Sequence, residues 1–138
     1  MKKDRYHDLV KAALVADGWT ITHDPFTIVL GRRRGFIDLG AERDFIGAEK
    51  DVEKIAVEIK SFLGLSDLDE FEDALGQFLI YLVALEEIEP NRLLFLAIPV
   101  GFYNRFFDDP FFVKIADRFA IRLIVYNEMN QKIVLWKR

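Results

Sequence analysis

The sequence predicts an α/β (α+β) fold in which helices cover both faces of a mixed central β-sheet. KIAVEIKSF (54–62) alternates with a period of two residues, which is typical of a strand. RLLFLAIPV (92–100) is a continuous apolar run, which is typical of a strand covered on both faces. The chain has 138 residues and is 51% hydrophobic and 30% charged. That length fits one domain with a sizeable core, so we predict a single domain over residues 1–138.

The N-terminal part predicts one helix followed by short strands. Apolar side chains recur at helical spacing in residues 4–16, and Asp17-Gly18 is a good helix stop. WTITHDPFTIVL (19–30) then predicts one or two short strands that break around Asp24-Pro25. The first helix is therefore expected to lead directly into the sheet.

The next segment predicts two strands with an ambiguous connection. GRRRG (31–35) reads as a turn bounded by glycines, and FIDLGAE (36–42) as the strand that follows it. RDFIGAEKDVE (43–53) fits either irregular structure or an extension of a strand. KIAVEIKSF then forms the strand that the alternation predicts.

A long helix is predicted after this strand. Ser66 has the character of an N-cap, and three acidic residues fill the first turn behind it. The helix is expected to end near Glu89, because Pro90 follows. Its second half, FLIYLVAL (78–85), is apolar on nearly every side, which predicts deep packing.

The C-terminal part predicts helical structure followed by a strand pair. Residues 103–119 are expected to be helical with a break near Pro110, and IRLIVYN (121–127) and KIVLWKR (132–138) are expected to be strands joined as a hairpin. The predicted order is therefore α-β-β-β-α-β-α-β-β, in three layers.

Composition excludes several classes of protein. The net charge is −4 and the sequence pI is about 5.2, so nucleic-acid binding would depend on a local basic patch, a bridging cation or a partner. The absence of cysteine excludes disulfides and thiolate metal sites and is compatible with the cytoplasmic location that we predict. No apolar run approaches a membrane span, and the N-terminus lacks the apolar core of a signal peptide. The 13 phenylalanines suggest a surface covered by another chain, either a partner or a homo-oligomer.

Three charged residues on two neighbouring strands form a candidate active site. If FIDLGAE pairs antiparallel with residues 54–61, Asp38 can lie opposite Glu58 with Lys60 one step along, which leaves residues 43–53 as the connection. Two carboxylates suit Mg²⁺ or Mn²⁺, and such an ion activates a water for attack on a phosphodiester. A lysine beside the ion supplies positive charge for the transition state.

These residues resemble the signature of the PD-(D/E)xK nuclease superfamily. Asp38 followed by Glu58-Ile59-Lys60 matches D…(D/E)-x-K, and the element order is similar to a restriction-endonuclease-like core. Gln77 and Tyr81 match the Q-x-x-x-Y element of RecB-like members. The resemblance implies Asp38 and Glu58 as metal ligands, Lys60 as the catalytic lysine, and a role for Gln77 and Tyr81 in orienting substrate or lysine. Asp8, with His7 beside it, occupies the place where many members carry a metal-binding glutamate on the first helix.

A closer resemblance covers nearly the whole chain. HDLVKAALVADGWTITHDPFTI, FIDLGAE, KIAVEIKSF, ALGQF and IRLIVYN are similar, in this order, to the XisH family of fdxN element excision controlling factors. The resemblance implies control of the programmed excision of a DNA element, alongside a companion protein, XisI. It does not by itself imply an enzymatic activity.

Each functional hypothesis has a simpler alternative. Glu58 and Lys60 alone would fit a salt bridge on an exposed strand face of a purely structural domain. Residues 32–34, all arginine, fit either a solvated turn or a grip on a DNA backbone. His7 is expected at the surface or as a cap, and Glu42 as a surface carboxylate or a group behind the site. The whole chain also fits a non-catalytic control factor that works through its partner.

Overall fold

The computed structural model describes residues 4–45 and 51–138, which form a six-stranded mixed sheet with helices on both faces and a separate hairpin. This architecture confirms the predicted fold class. The helices are α1 (His7–Ala16), α2 (Asp67–Ile88), α3 (Val100–Phe106) and α4 (Pro110–Arg118). The strands are β1 (Thr20–His23), β2 (Phe26–Leu30), β3 (Arg33–Ile37), β4 (Leu39–Phe45), β5 (Asp51–Ile59), β6 (Arg92–Pro99), β7 (Leu123–Asn127) and β8 (Lys132–Lys137).

The sheet has the strand order β1-β4-β5-β6-β7-β8, and β2 and β3 form their own two-stranded sheet. The central strands β5, β6 and β7 are parallel, and the flanking pairs are antiparallel. One face of the sheet packs on α2, α3, α4 and the hairpin, and the other packs on α1. Residues 55–59 of β5 and nearly all of β6 are therefore buried on both faces, as the apolar run of β6 predicted for that strand.

FIDLGAE does not form one strand. The chain bends at Asp38, so β3 ends at Ile37 and pairs with β2, whereas β4 begins at Leu39 and pairs with β5. Ile37 consequently packs on the α2 face, while Leu39 packs on the α1 face. The prediction of one strand over FIDLGAE is wrong for this reason, and five strands rather than three precede α2. Two strands do flank Asp24-Pro25, which is a cis peptide.

The connection between the two carboxylate-bearing strands is shorter than expected. β4 continues to Phe45 and β5 begins at Asp51, because the antiparallel pairing of the two strands extends as far as Phe45 opposite Asp51. Of the two interpretations of residues 43–53, the strand extension is therefore confirmed for residues 43–45 and 51–53. Residues 46–50 of that ambiguous segment lie outside the described residues.

Helix α2 begins as predicted but is less buried than predicted. The Ser66 side chain accepts a hydrogen bond from the Asp69 backbone N–H at 3.2 Å, which caps the first turn. Farther along, Ile80 and Val83 are each 57% exposed. Phe78 and Leu85 face the sheet, so the opposite side of this apolar helix points to solvent. Among the described helices, none has the length and apolarity to cross a bilayer.

The C-terminal elements follow the prediction with small shifts. The helical region begins three residues early, at Val100, and is interrupted before Pro110, where Asp109 caps α4. Phe102 and Phe106 are core residues, whereas Phe111 is 60% exposed. The segment thus contributes mainly to packing, and β7 and β8 form the predicted hairpin.

Candidate active site

Asp38 and Glu58 lie side by side where β4 and β5 meet. The register of this pair runs from Phe45 opposite Asp51 to Leu39 opposite Val57, and one further step brings Asp38 to Glu58. Two hydrogen bonds link them: the Asp38 N–H donates to Glu58 Oε1 at 3.2 Å, and the Ile59 N–H donates to Asp38 Oδ2 at 2.7 Å. Each carboxylate is thus held by the backbone of the opposite segment.

This pair is almost entirely removed from solvent. Asp38 is 7% exposed and Glu58 is 5% exposed. Burial, followed by the charge of Asp38 and a hydrogen bond with it, raises the pKa of Glu58 to about 9, although the Lys60 charge opposes the shift. The site therefore holds Glu58 protonated at neutral pH in the absence of a further positive charge. Glu58 does not lie on a solvated strand face, as the salt-bridge alternative required.

Lys60 follows β5 directly and keeps a fixed backbone. Its N–H donates to the Ala97 carbonyl at 3.0 Å, and its own carbonyl accepts from the buried Tyr126 hydroxyl at 3.1 Å. Its Nζ lies 3.8 Å from Glu58 Oε2, and its side chain is 31% exposed. The ammonium group thus stands between the buried carboxylates and the solvent.

Gln77 and Tyr81 reach the same site from α2. Gln77 Nε2 donates to Tyr81 Oη at 3.1 Å, and burial raises the pKa of Tyr81. Because Oη accepts this bond, the phenol proton remains available to donate. The hairpin approaches Tyr81 closely at Gly35, where a Cβ would lie 3.3 Å from Tyr81 Cε1 and 2.7 Å from Leu30 Cδ1. Glycine at this position therefore lets β3 pack on α2 beside the site.

A cleft of about 700 Å³ joins these groups. The predicted residues that line it are Asp38, Glu58, Lys60, Gln77, Tyr81 and Arg34. Arg32 and Arg33 are exposed on the hairpin and are not part of this lining. Glu42, which was considered as a group behind Asp38, lies in the middle of β4, 3.6 Å from the buried Arg92 at the start of β6. The structure thus separates Glu42 from the site.

His7 is buried behind Asp38, so the expectation of a surface or capping residue is wrong. It is 1% exposed, and its Nε2 lies 2.7 Å from Asp24 Oδ1. The other oxygen of this carboxylate, Oδ2, accepts a hydrogen bond from Lys11 Nζ. Although burial raises the pKa of Asp24, hydrogen bonds from Lys11 and His7 keep it below its usual range. An ionised carboxylate only accepts, so Nε2 donates. Nδ1 then faces Asp38 Oδ1 at 4.0 Å.

Sequence reasoning missed this arrangement because one histidine carries no signal. The available clue was that His7 and Lys11 are four residues apart on one helix and can meet the same carboxylate. Asp8, the other residue considered on this helix, is exposed and does not line the cleft.

The donor set fits a hard divalent cation with open coordination positions. Among residues 4–45 and 51–138, no three His, Cys, Asp or Glu side chains are arranged to hold a metal. Two carboxylates at the base of an open cleft nevertheless suit Mg²⁺, which commonly binds one or two carboxylates and completes its shell with water and substrate phosphate. Burial and the charge of Asp38 both raise the pKa of Glu58, and a bound cation would oppose both effects by stabilising the ionised carboxylate.

Comparisons with known proteins identify the family. The model of the family described as XisH protein matches residues 1–134. No curated protein matches the chain. A fdxN element excision controlling factor protein from Anabaena variabilis is similar in structure, with a TM-score of 0.88 and 40% identity over 99% of this chain and 100% of that one. An XisH family protein from Nostoc punctiforme PCC 73102 has a TM-score of 0.86 and 39% identity over 98% of this chain and 100% of its own. The chain belongs to the XisH family.

Proposed function

We propose that this protein is an excision-controlling factor for a programmed DNA element and that it hydrolyses phosphodiester bonds with Mg²⁺ or Mn²⁺. The observation that carries the chemistry is the pairing of Asp38 with Glu58, with Lys60 Nζ 3.8 Å from Glu58, in an open cleft. The spacing of Asp38, Glu58 and Lys60 in the sequence, which resembles the PD-(D/E)xK signature, supports the proposal. The role in excision follows from similarity to the excision controlling factor from Anabaena variabilis.

Each residue has a distinct part in this proposal. Asp38 and Glu58 would hold the cation, which when bound polarises a phosphoryl oxygen and lowers the pKa of a coordinated water. Lys60 would place its positive charge beside the phosphate as negative charge develops there. Gln77 and Tyr81, hydrogen-bonded to each other, would orient the phosphate or the lysine. Residues 32–34, all arginine, would contact the DNA backbone.

Cleavage assays with matched variants test this proposal. We expect the purified chain to cleave some form of DNA only with Mg²⁺ or Mn²⁺ present. Asp38→Asn and Lys60→Ala should each lower the rate by about 100-fold or more, because each removes a group that acts on the transition state. Asp44→Asn and Lys114→Ala make the same charge changes at exposed positions away from the cleft and should cleave normally. Undiminished cleavage by both site variants would contradict the proposal.

One surface favours a second candidate function, that of a non-catalytic control factor that binds a companion protein of the XisI type. An apolar groove of about 580 Å³ lies between the hairpin and α2. Three of its apolar residues are more than half exposed: Val29, Ile80 and Val83. Exposed contiguous apolar surface is typical of sites where another protein binds.

Co-purification with the companion protein tests the second candidate. We expect a stable complex that Val83→Glu disrupts, because the substitution would bury a charge in the apolar interface. Val15→Glu is the matched control, since Val15 is 55% exposed on α1 and lies outside this groove. A free monomer with no affinity for the companion would remove this candidate.

A further inference from the structure

The reactive groups lie at the base of a cleft rather than on an open surface. Asp38, Glu58 and Tyr81 are each at most 7% exposed, and the cleft above them has a volume of about 700 Å³. This volume is in the range of small-molecule sites, about 300–1,000 Å³. Duplex DNA is stiff over about 150 base pairs, so it has to be kinked before its backbone can turn into such a space. An unpaired strand is flexible, so its phosphates and bases can enter the cleft without such a distortion.

Two exposed arginines lie at the walls of this cleft. Arg5 lines one part of it and Arg34 another, and neither forms an ion pair within the described part of the chain. Asp4 also lines the cleft, and its carboxylate accepts hydrogen bonds from two backbone N–H groups. In a protein of net charge −4, unpaired arginines beside Lys60 complement a polyanion.

The cleft wall also presents an exposed aromatic side chain. Phe36 lies on the outward face of β3, lines the cleft and is 37% exposed. Across the described residues, it contacts no other aromatic ring, unlike the paired rings of the Phe71 and Phe102 cluster. An exposed ring between Arg34 and Asp38 offers a flat face on which a base can stack.

We infer that the cleft takes an unpaired segment of DNA, with a base stacked on Phe36 and the backbone held by Arg5, Arg34 and Lys60. This inference rests on the proposed function and specifies its substrate class. Basic side chains along the strand together with an aromatic platform are the combination that binds single strands without sequence preference. A strand in this position brings a phosphate to Asp38 and Glu58 without distortion of a duplex.

Fluorescence anisotropy with a labelled oligonucleotide tests the inference. The oligonucleotide is used single-stranded and annealed to its complement, with Ca²⁺ in place of the catalytic cation. We expect the single strand to bind about tenfold tighter or more. Phe36→Ala should weaken that binding about fivefold or more through the loss of one stacked base. Arg5→Ala and Arg34→Ala should each reduce the slope of log affinity against log salt by about 0.7.

Two controls keep the outcomes distinct. Phe111→Ala removes an exposed aromatic ring of α4 outside the cleft, and Arg118→Ala removes an exposed arginine of the same helix, so neither should change binding. Equal or tighter binding of the duplex, or a Phe36→Ala effect no larger than that of Phe111→Ala, would overturn the inference. The proposed hydrolysis is tested separately, by metal-dependent cleavage and by the loss of that cleavage in Asp38→Asn.

Discussion

At the scale of single residues, two backbone amides hold two carboxyl groups side by side. The N–H groups of Asp38 and Ile59 each donate to the carboxylate across from them, which fixes the two side chains in a nearly buried position. Burial first, and then the negative charge of Asp38, raise the pKa of Glu58. A pair that is unfavourable when both members are ionised is a natural binding site for a cation, and this links the residue geometry to the proposed chemistry.

The raised pKa of Glu58 predicts how stability depends on pH. The folded protein keeps this proton up to a pH of about 9, whereas the unfolded chain releases it near 4.5. Stability from this group is therefore complete below about pH 4.5 and is lost as the pH rises towards 9. Glu58→Gln mimics the protonated form. We expect its stability advantage over the wild type to grow from pH 5 to pH 8, by at most about 1.4 kcal/mol per pH unit.

Denaturant unfolding of both proteins across this pH range measures the effect in metal-free buffer. Glu72→Gln provides the matched control, because Glu72 is exposed on the outer side of α2. Its stability should run parallel to that of the wild type at every pH. Parallel curves for Glu58→Gln as well would show that Glu58 is ionised in the folded protein at neutral pH, contrary to this prediction.

His7 is a further residue whose environment decides its role. The Asp24 carboxylate and Lys11 hold one edge of the ring, and the other edge faces Asp38. Because Lys11 belongs to α1 and Asp24 to the segment between β1 and β2, this contact ties α1 to the chain just before the hairpin. His7 thereby closes the back of the candidate site against solvent.

At the scale of elements, the bend at Asp38 gives the cleft its shape. It divides one apparent strand into β3, which belongs to the hairpin, and β4, which belongs to the sheet. Asp38 consequently lies at the junction, with Arg34 and Phe36 on the cleft wall before it. The hairpin can close this wall because Gly35 allows β3 to approach Tyr81. A continuous strand would have left the carboxylate on an open sheet.

Helix α2 serves two surfaces at once. Gln77 and Tyr81 lie one turn apart and face the cleft, whereas Ile80 and Val83 lie on the side that lines the apolar groove. The two proposals for function therefore use different sides of the same helix. A protein bound in the groove would lie beside the hairpin and so next to the cleft, which lets catalysis and partner binding coexist.

At the scale of the whole molecule, the candidate site joins elements distant in the sequence, so a cation bound there should stabilise the entire fold. A ligand that binds only the folded state adds about 2.7 kcal/mol at 100 times its dissociation constant. We expect Mn²⁺ to raise the melting temperature by several degrees. The rise should be larger at pH 8 than at pH 6, because the cation has to displace the proton that Glu58 holds.

Thermal unfolding with and without Mn²⁺ at the two pH values measures this shift. Asp38→Asn should lose it, and Asp44→Asn, which changes an exposed carboxylate of β4, should retain it. A rise of equal size in Asp38→Asn would assign the stabilisation to cations bound elsewhere on an acidic surface. A rise that is larger at pH 6 would contradict the protonated state of Glu58.

The sequence by itself determined the helices, most of the sheet strands and the identity of the chemical groups. The alternation around Glu58, the apolar run of β6 and the Ser66 cap are local signals, because the period of side chains and the capping of amides depend on neighbouring residues. The resemblance that the sequence carries also indicated the family that the comparisons then showed.

Only the tertiary structure decided how those groups meet. The bend at Asp38, the burial of His7, the exposure of Ile80 and the cleft that joins Arg5 to Phe36 all depend on contacts between segments far apart in the chain. The burial of Glu58 and its raised pKa likewise depend on the segments that pack around it, and the local sequence does not specify those segments. The sequence therefore supplied the two carboxylates and the lysine, and the packing of the hairpin and α2 against β5 made a site of them.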